Sequence, residues 1–158
     1  MHAIQTIPAP ILLVEDDDND VFLMRRAFTV ANVENPLFVA HSGEHAVELL
    51  KRPLNQPCLL ITDINLPGLD GFDLLVWLQN QPRFRDMPKL VISASVFAED
   101  LDKALVLGAT ACFTKPHGIG LLVELVRQWK EGYLERACCA PCITQIAPRR
   151  NEQSDLSA

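Results

Sequence analysis

The chain has 158 residues, of which 49% are hydrophobic and 22% are charged, so we expect one domain with a substantial apolar core. Its net charge of −6 and its pI near 5.1 argue against nucleic acid or an anionic membrane as the main partner. No apolar run approaches the roughly 18 residues of a membrane span, and the first residues do not resemble a secretion signal. We therefore expect a cytoplasmic protein.

Strand and helix patterns alternate along the chain after a lead-in of 10 residues that holds two prolines. Apolar runs closed by turn residues predict buried strands over residues 11–14, 37–40, 58–62, 89–93 and 111–114. Helical spacing of apolar residues predicts helices after each strand, over residues 20–31, 43–51, 72–80, 100–107 and 119–136. Asp18 or Asn19 can cap the first helix, and Ser42 can cap the second. The segment 141–158 turns polar, and we expect it to be a disordered tail after a domain over 11–140.

Five strand–helix units with long connections favour right-handed parallel crossovers. The predicted fold is therefore α/β, a doubly wound five-stranded parallel sheet with helices on both faces. In such a fold the carboxyl ends of all strands lie at one edge of the sheet.

Polar side chains follow four of these strands. Glu15 and Asp16 follow the first strand, Asp63 the third, Ser93 ends the fourth, and Lys115 follows the fifth. Carboxylates a few ångströms apart repel one another unless a cation or a raised pKa relieves them. Mg²⁺, which prefers oxygen ligands, fits this set of side chains.

Phosphoryl transfer is the chemistry that this set indicates. Asp63 can attack a phosphoryl group as a carboxylate nucleophile and form an acyl phosphate. Mg²⁺ and Lys115 would then neutralise the charge on the phosphoryl oxygens. Ser93 could donate its hydroxyl to that group once it has arrived, which makes it a sensor of the covalent state.

From about residue 11 to residue 133 the chain resembles the receiver domain of two-component response regulators, which has a flavodoxin-like fold. The matching motifs are Leu-Val-Glu-Asp at 13–16, Asp-Ile-Asn-Leu-Pro-Gly-Leu-Asp-Gly at 63–71, Val-Ile-Ser-Ala at 91–94 and Lys-Pro at 115–116. The resemblance implies a phosphoprotein that receives its phosphoryl group on Asp63 from a sensor histidine kinase and loses it by slow hydrolysis. It also implies that the Asn65 backbone carbonyl completes the Mg²⁺ site, that Ser93 is the switch hydroxyl and that Lys115 binds phosphate.

Within that family the chain looks most like small single-domain regulators that partner phytochrome-type sensor kinases. The features in common are the Val-Glu-Asp start with Asp20 a few residues on, the approach over 83–88 and a late Trp129. Such regulators often pair through their last strand and helix, so the resemblance implies a homodimer with Trp129 and Tyr133 as contact candidates. The alternative is that both aromatic side chains pack on the sheet of their own chain.

Three positions call for comment beside this resemblance. Most receivers place Tyr or Phe three residues before the lysine, but Cys112 occupies that switch position here, and the adjacent Phe113 should point to the other face of the strand. Asn65 and Ser95 lie two residues beyond Asp63 and Ser93, where the family tunes the lifetime of the phosphoryl group. The bond before Pro116 is a candidate for the cis isomer.

Other functional classes are less consistent with the sequence. A phosphohydrolase of the haloacid dehalogenase type needs a second Asp two residues after the nucleophile, and Asn65 stands there. A receiver-like domain that no longer takes phosphate would have lost Asp63, Lys115 or the acidic pair. No glycine-rich phosphate loop follows the first strand, which argues against nucleotide binding.

The residues after Tyr133 are too few for a helix-turn-helix output domain, so we expect output through protein contacts. The candidate partners are a kinase, a downstream phosphotransfer protein or a second copy of the chain. Cys138, Cys139 and Cys142 have no nearby His, and we expect exposed reduced thiols there rather than a zinc site.

Overall fold

Five strands and five helices alternate in a computed structural model that describes residues 7–53, 56–94 and 96–135. The strands are β1 (Ile11–Val14), β2 (Leu37–Ala40), β3 (Leu59–Thr62), β4 (Lys89–Ser93) and β5 (Ala111–Thr114). The helices are α1 (Asp18–Val30), α2 (Gly43–Lys51), α3 (Gly71–Gln79), α4 (Ala98–Val106) and α5 (Ile119–Trp129). A 3-10 turn spans Pro82–Phe84, and a π-helical segment, Lys130–Leu134, extends α5. Ser95, the three late cysteines and the predicted tail lie outside the described residues.

The strands form one parallel sheet in the order β2-β1-β3-β4-β5. Residues in register pair β1 with β3 from Ile11 opposite Leu59 to Val14 opposite Thr62. The predicted fold is confirmed, and four of the five predicted strands have the observed bounds. Because all strands run the same way, the residues that follow them meet at one edge.

Side chains that alternate along each strand fill apolar layers on both faces of the sheet. Leu13 and Ile61 face a layer formed with α1 and α5. Leu12 and Leu60 face a second layer formed with α2 and α3. The three central strands, β1, β3 and β4, are buried on both sides, which explains why they read as continuous apolar runs.

Three of the five helix starts, those of α1, α3 and α4, depart from the predictions by one or two residues. The cap of α1 is Asp17, one residue before Asp18 and two before Asn19, and its side chain accepts from the backbone N–H groups of Asn19 and Asp20. Ser42 caps α2 as predicted and accepts from the His45 N–H. The α4 helix begins at Ala98 rather than residue 100. The first residue of a helix depends on the backbone angles and hydrogen bonds of the preceding turn, and the spacing of apolar residues does not predict these.

Trp129 packs inside its own chain, which is the second of the two alternatives predicted for it, and it is not an exposed aromatic side chain. Its side chain is 1% exposed, and its ring lies 5.5 Å from the Phe113 ring in an edge-to-face contact. Tyr133 is half-buried and packs against the same layer. The apolar stripe of α5 faces the sheet because burial removes its apolar side chains from water, whereas the polar face of the helix stays hydrated.

The Lys115–Pro116 bond is trans, as are all the peptide bonds within the described residues. The cis expectation is therefore wrong, in keeping with the preference of about 0.5–1 kcal/mol for the trans isomer before proline. Within the same ranges, none of the helices has the length and apolar character that a bilayer span requires.

Replacing Trp129 by Ala should lower the free energy of unfolding by about 3–5 kcal/mol, because the change leaves a large cavity in the core. The Trp129 Nε1 group is buried and has no hydrogen-bond partner among the described residues. Trp129→Phe should therefore cost only about 1–2 kcal/mol, since it removes that unpaired donor and keeps most of the ring. Urea denaturation measures both values.

Val106→Ala is the matched control, because Val106 is 80% exposed and its truncation should change stability very little. Equal stability of Trp129→Ala and the wild type would contradict the core position of this side chain.

Candidate functional site

Three carboxylates meet where β1 and β3 end. Glu15 and Asp63 are buried, only 3% and 6% exposed, whereas Asp16 is exposed. The Glu15 N–H donates to the last carbonyl of β2, and the Asp63 N–H donates to the last carbonyl of β1, so the ladder itself fixes both backbones. One oxygen from each of Glu15, Asp16 and Asp63 can be chosen so that all three lie within 4.8 Å of one another. The predicted convergence of the acidic residues is observed.

Lys115 brings the opposite charge to this cluster. Its Nζ donates to Glu15 Oε2 at 2.8 Å, to Asp20 Oδ2 at 2.8 Å and to Asp63 Oδ2 at 2.7 Å. Its backbone N–H donates to the Ser93 carbonyl at 2.7 Å, which extends the pairing of β4 with β5 to the lysine. All three N–H groups of the ammonium are therefore used by carboxylates.

Asp20 is the site residue that the sequence reasoning missed. It lies in the first turn of α1 and is half-exposed, so by itself it reads as an acidic residue that favours a helix start. Its approach to Lys115 spans 95 positions of sequence. The sequence signal for Asp20 was its position about one turn after Glu15 and Asp16, on the helix that begins at the carboxyl-end edge of the sheet.

Asn65 lies beside the Asp63 carboxylate, and Ser93 lies beside Asn65. The Asn65 N–H donates to Asp63 Oδ1 at 3.1 Å. The Asn65 side-chain amide is 3.5 Å from Ser93 Oγ, and Ser93 is fully buried. The structure thus brings Asp63, Asn65, Ser93 and Lys115 together, as predicted from the sequence.

Cys112 and Phe113 point to opposite faces of β5. Cys112 packs against the apolar cluster that includes Val91, while Phe113 packs against Trp129 on the other side. Burial raises the pKa of the Cys112 thiol, and Asp100 raises it further. The residue is therefore a neutral packing group at neutral pH.

The electrostatics of the cluster are set by burial and by Lys115. Burial raises the pKa of Glu15 to about 7, although hydrogen bonds from Lys115 and from the Asp17 N–H act in the opposite direction. Burial alone would lower the pKa of Lys115, but its bonds to Asp20, Asp63 and Glu15 raise that pKa well above its usual range. Lys115 therefore stays charged at all physiological pH values.

The donor set fits a hard divalent cation. Glu15, Asp16 and Asp63 offer only carboxylate oxygens, which are the ligands that such ions prefer. One ammonium, that of Lys115, pairs with Glu15, Asp63 and Asp20, so a second positive charge would relieve the repulsion that remains among the carboxylates. These residues could therefore hold the ion.

Comparison with known proteins extends this picture over most of the chain. The family model for the response regulator receiver domain matches residues 11–127. A 14.6 kDa protein from Leptolyngbya boryana, described as uncharacterized and located in the sodA1 3' region, is 33% identical over 125 residues, which cover 79% of this chain and 93% of that protein. The response regulator Rcp1 of Synechocystis sp. is 26% identical over 133 residues, which cover 81% of this chain and 90% of Rcp1.

Solved structures give the same result. The phosphorylated cyanobacterial phytochrome response regulator RcpA superposes with a TM-score of 0.75 at 25% identity, over 82% of this chain and 96% of RcpA. The Mn²⁺-bound form of Rcp1 superposes with a TM-score of 0.72 at 26% identity, over 81% and 96% of the two chains. The chain belongs to the family of response regulator receiver domains.

Proposed function

We propose that this chain accepts a phosphoryl group on Asp63 from a sensor histidine kinase, in a reaction that depends on Mg²⁺. The observation that supports the proposal most directly is the 2.7 Å bond from Lys115 Nζ to Asp63 Oδ2 inside a buried acidic cluster. An ammonium beside the attacking oxygen is correctly placed to meet the charge of an arriving phosphoryl group.

The proposed step makes one bond and breaks one. A carboxylate oxygen of Asp63 attacks the phosphorus of a phosphohistidine, the P–N bond breaks, and the imidazole leaves with the electron pair and takes up a proton. Lys115 then turns one N–H from Asp63 to a phosphoryl oxygen while Glu15 and Asp20 hold the other two. When bound by the carboxylates, Mg²⁺ would supply further positive charge against the phosphoryl oxygens.

Ser93 and Asn65 have supporting roles in this proposal. Ser93 donates its hydroxyl to the phosphoryl group, and the Asn65 side chain, 3.5 Å from that hydroxyl, limits how water reaches the acyl phosphate. The Asn65 backbone carbonyl is the further oxygen ligand that we propose for Mg²⁺. An amide at position 65 cannot exchange a proton as a carboxyl does, which makes a turnover phosphohydrolase a poorer fit.

A phytochrome-type kinase is the partner that we propose. The reason is that RcpA, which matches 82% of this chain, is a phytochrome response regulator. Output would then run through a protein contact, either with a downstream phosphotransfer protein or with a second copy of the chain. Size-exclusion chromatography before and after phosphorylation tests the second option, and an unchanged elution volume in both states would remove it.

Incubation with acetyl phosphate and Mg²⁺ should raise the intact mass of the protein by one phosphoryl group. Asp63→Asn should abolish the adduct, because an amide oxygen is too weak a nucleophile to form the acyl phosphate. Removal of Mg²⁺ with EDTA should also abolish it, since the cluster then retains its full negative charge. Intact-mass spectrometry measures each outcome.

Asp102→Asn is the matched control, because Asp102 is an exposed carboxylate on α4. It should give the same adduct as the wild type. No adduct on the wild type, or an undiminished adduct on Asp63→Asn, would refute the proposed function.

Mg²⁺ affinity should fall as the pH is lowered through about 7, the raised pKa of Glu15. Below that pH a proton occupies the carboxylate, so the apparent Kd for Mg²⁺ should rise about tenfold from pH 8 to pH 6.

The stability of the ion-free fold should change with pH in the opposite direction. Because the folded state holds this proton more tightly than the unfolded state, the free energy of unfolding should fall between pH 4.5 and about 7.

Titration calorimetry with Mg²⁺ at both pH values measures the effect. Glu15→Gln should bind Mg²⁺ more weakly and with little pH dependence in this window. An equally steep dependence in Glu15→Gln would show that another group takes up the proton.

A further inference from the structure

The loop that follows Asp63 is attached to the start of α2 by one side chain. Glu44 is the second residue of that helix, and its Oε1 accepts a hydrogen bond from the Leu69 N–H at 2.8 Å. Leu69 lies in the loop between β3 and α3, which spans residues 63–70. Glu44 itself touches none of the carboxylates at the active edge among its recorded contacts.

Two glycines show how closely the loop and the helix approach. Gly68 has a φ of +70°, and a Cβ built on it would lie 2.5 Å from Glu44 Oε1. A Cβ built on Gly43 would overlap the Leu69 carbonyl. The Glu44 carboxylate therefore rests over the Gly68–Leu69 backbone with no room for another side chain.

The core side of the loop is held by apolar contacts. Leu66 is buried and belongs to the layer that includes Ala46 and Leu50 of α2, and Leu69 packs at its margin. On the outer side, the recorded polar contact between the described residues of the loop and α2 is the bond from Leu69 to Glu44. Loss of that bond would release the outer side of the loop while the core side stays packed.

The loop is short enough to transmit such a change to the acceptor. The Gly71 N–H donates to the Ile64 carbonyl at 3.0 Å, which closes the loop, so its residues move together. Asn65 lies within this closed segment and donates to Asp63 Oδ1. Asp63 is also held by Lys115, so the group most sensitive to the loop is Asn65.

We propose that Glu44 is a positioning residue for phosphoryl transfer, acting through the Leu69 N–H to hold the loop that presents Asn65 to Asp63 and Ser93. This assignment rests on the proposed function. The hydrogen bond, rather than the charge, is what matters. A carboxylate near a helix start also stabilises the helix, and that effect is separable because it needs only the charge.

Three variants separate these possibilities. Glu44→Ala removes both the charge and the acceptor, and Glu44→Gln removes the charge but keeps an oxygen that can accept from Leu69. Glu48→Ala is the matched control, because Glu48 is an exposed carboxylate one turn further along the same helix. Hydrogen exchange of the Leu69 amide and the rate of phosphorylation by acetyl phosphate with Mg²⁺ are measured on each full-length variant.

In Glu44→Ala, the Leu69 N–H should exchange its hydrogen faster than in the wild type. Phosphorylation of this variant should be about three- to tenfold slower than that of the wild type. Glu44→Gln and Glu48→Ala should behave as the wild type in both measurements. Since Glu44 is exposed, all three variants should fold, and urea denaturation verifies this.

Two results would overturn the assignment alone: an unchanged phosphorylation rate in Glu44→Ala, or a rate in Glu44→Gln as low as in Glu44→Ala. A wild-type protein that takes no phosphoryl group would instead overturn the proposed function, and the assignment with it.

Discussion

The Lys115 ammonium is the group on which the acidic edge of the sheet depends. Glu15 and Asp63 are almost fully buried, and two buried carboxylates a few ångströms apart repel each other strongly. Lys115 offsets that repulsion by donating to both at 2.7–2.8 Å. It lies 100 positions from Glu15 and 52 from Asp63, so only the stacked order of the strands brings it there. The apolar layers thus determine the chemistry of the edge.

The Lys115 ammonium is shared among three carboxylates, and this sharing determines how it could bind an arriving phosphoryl group. Each N–H of Lys115 is already occupied, so a phosphoryl oxygen can be bound only if one carboxylate gives up its bond. In the proposed acyl phosphate, Asp63 has lost the charge on that oxygen, so Asp63 is the carboxylate that we expect to give up its bond. Asp20 and Glu15 keep the lysine in place during this exchange. Asp20 is therefore more than a helix-start residue.

Much of this arrangement could be predicted from the sequence, because buried parallel strands read as apolar runs and their ends must share one edge. That rule predicts the positions of five site residues: Glu15, Asp16, Asp63, Ser93 and Lys115. Asp20 and Glu44 do not, because each reaches its partner through helix placement rather than strand order. Trp129 shows a different limit. Spacing identifies an apolar stripe on α5 but does not say whether its own sheet or a partner covers it.

The two faces of β5 restrict how a covalent change at Asp63 can reach the surface. Phe113 is fixed against Trp129 on the face away from Ser93, and Cys112 fills the face where the family usually has an aromatic ring. A small, half-buried thiol has no ring to turn outward, so it cannot report the state of Asp63 in that way. The remaining route runs through the backbone that holds Asn65 and Ser93. In the proposed function, that route begins at the loop of residues 63–70 and its attachment to α2.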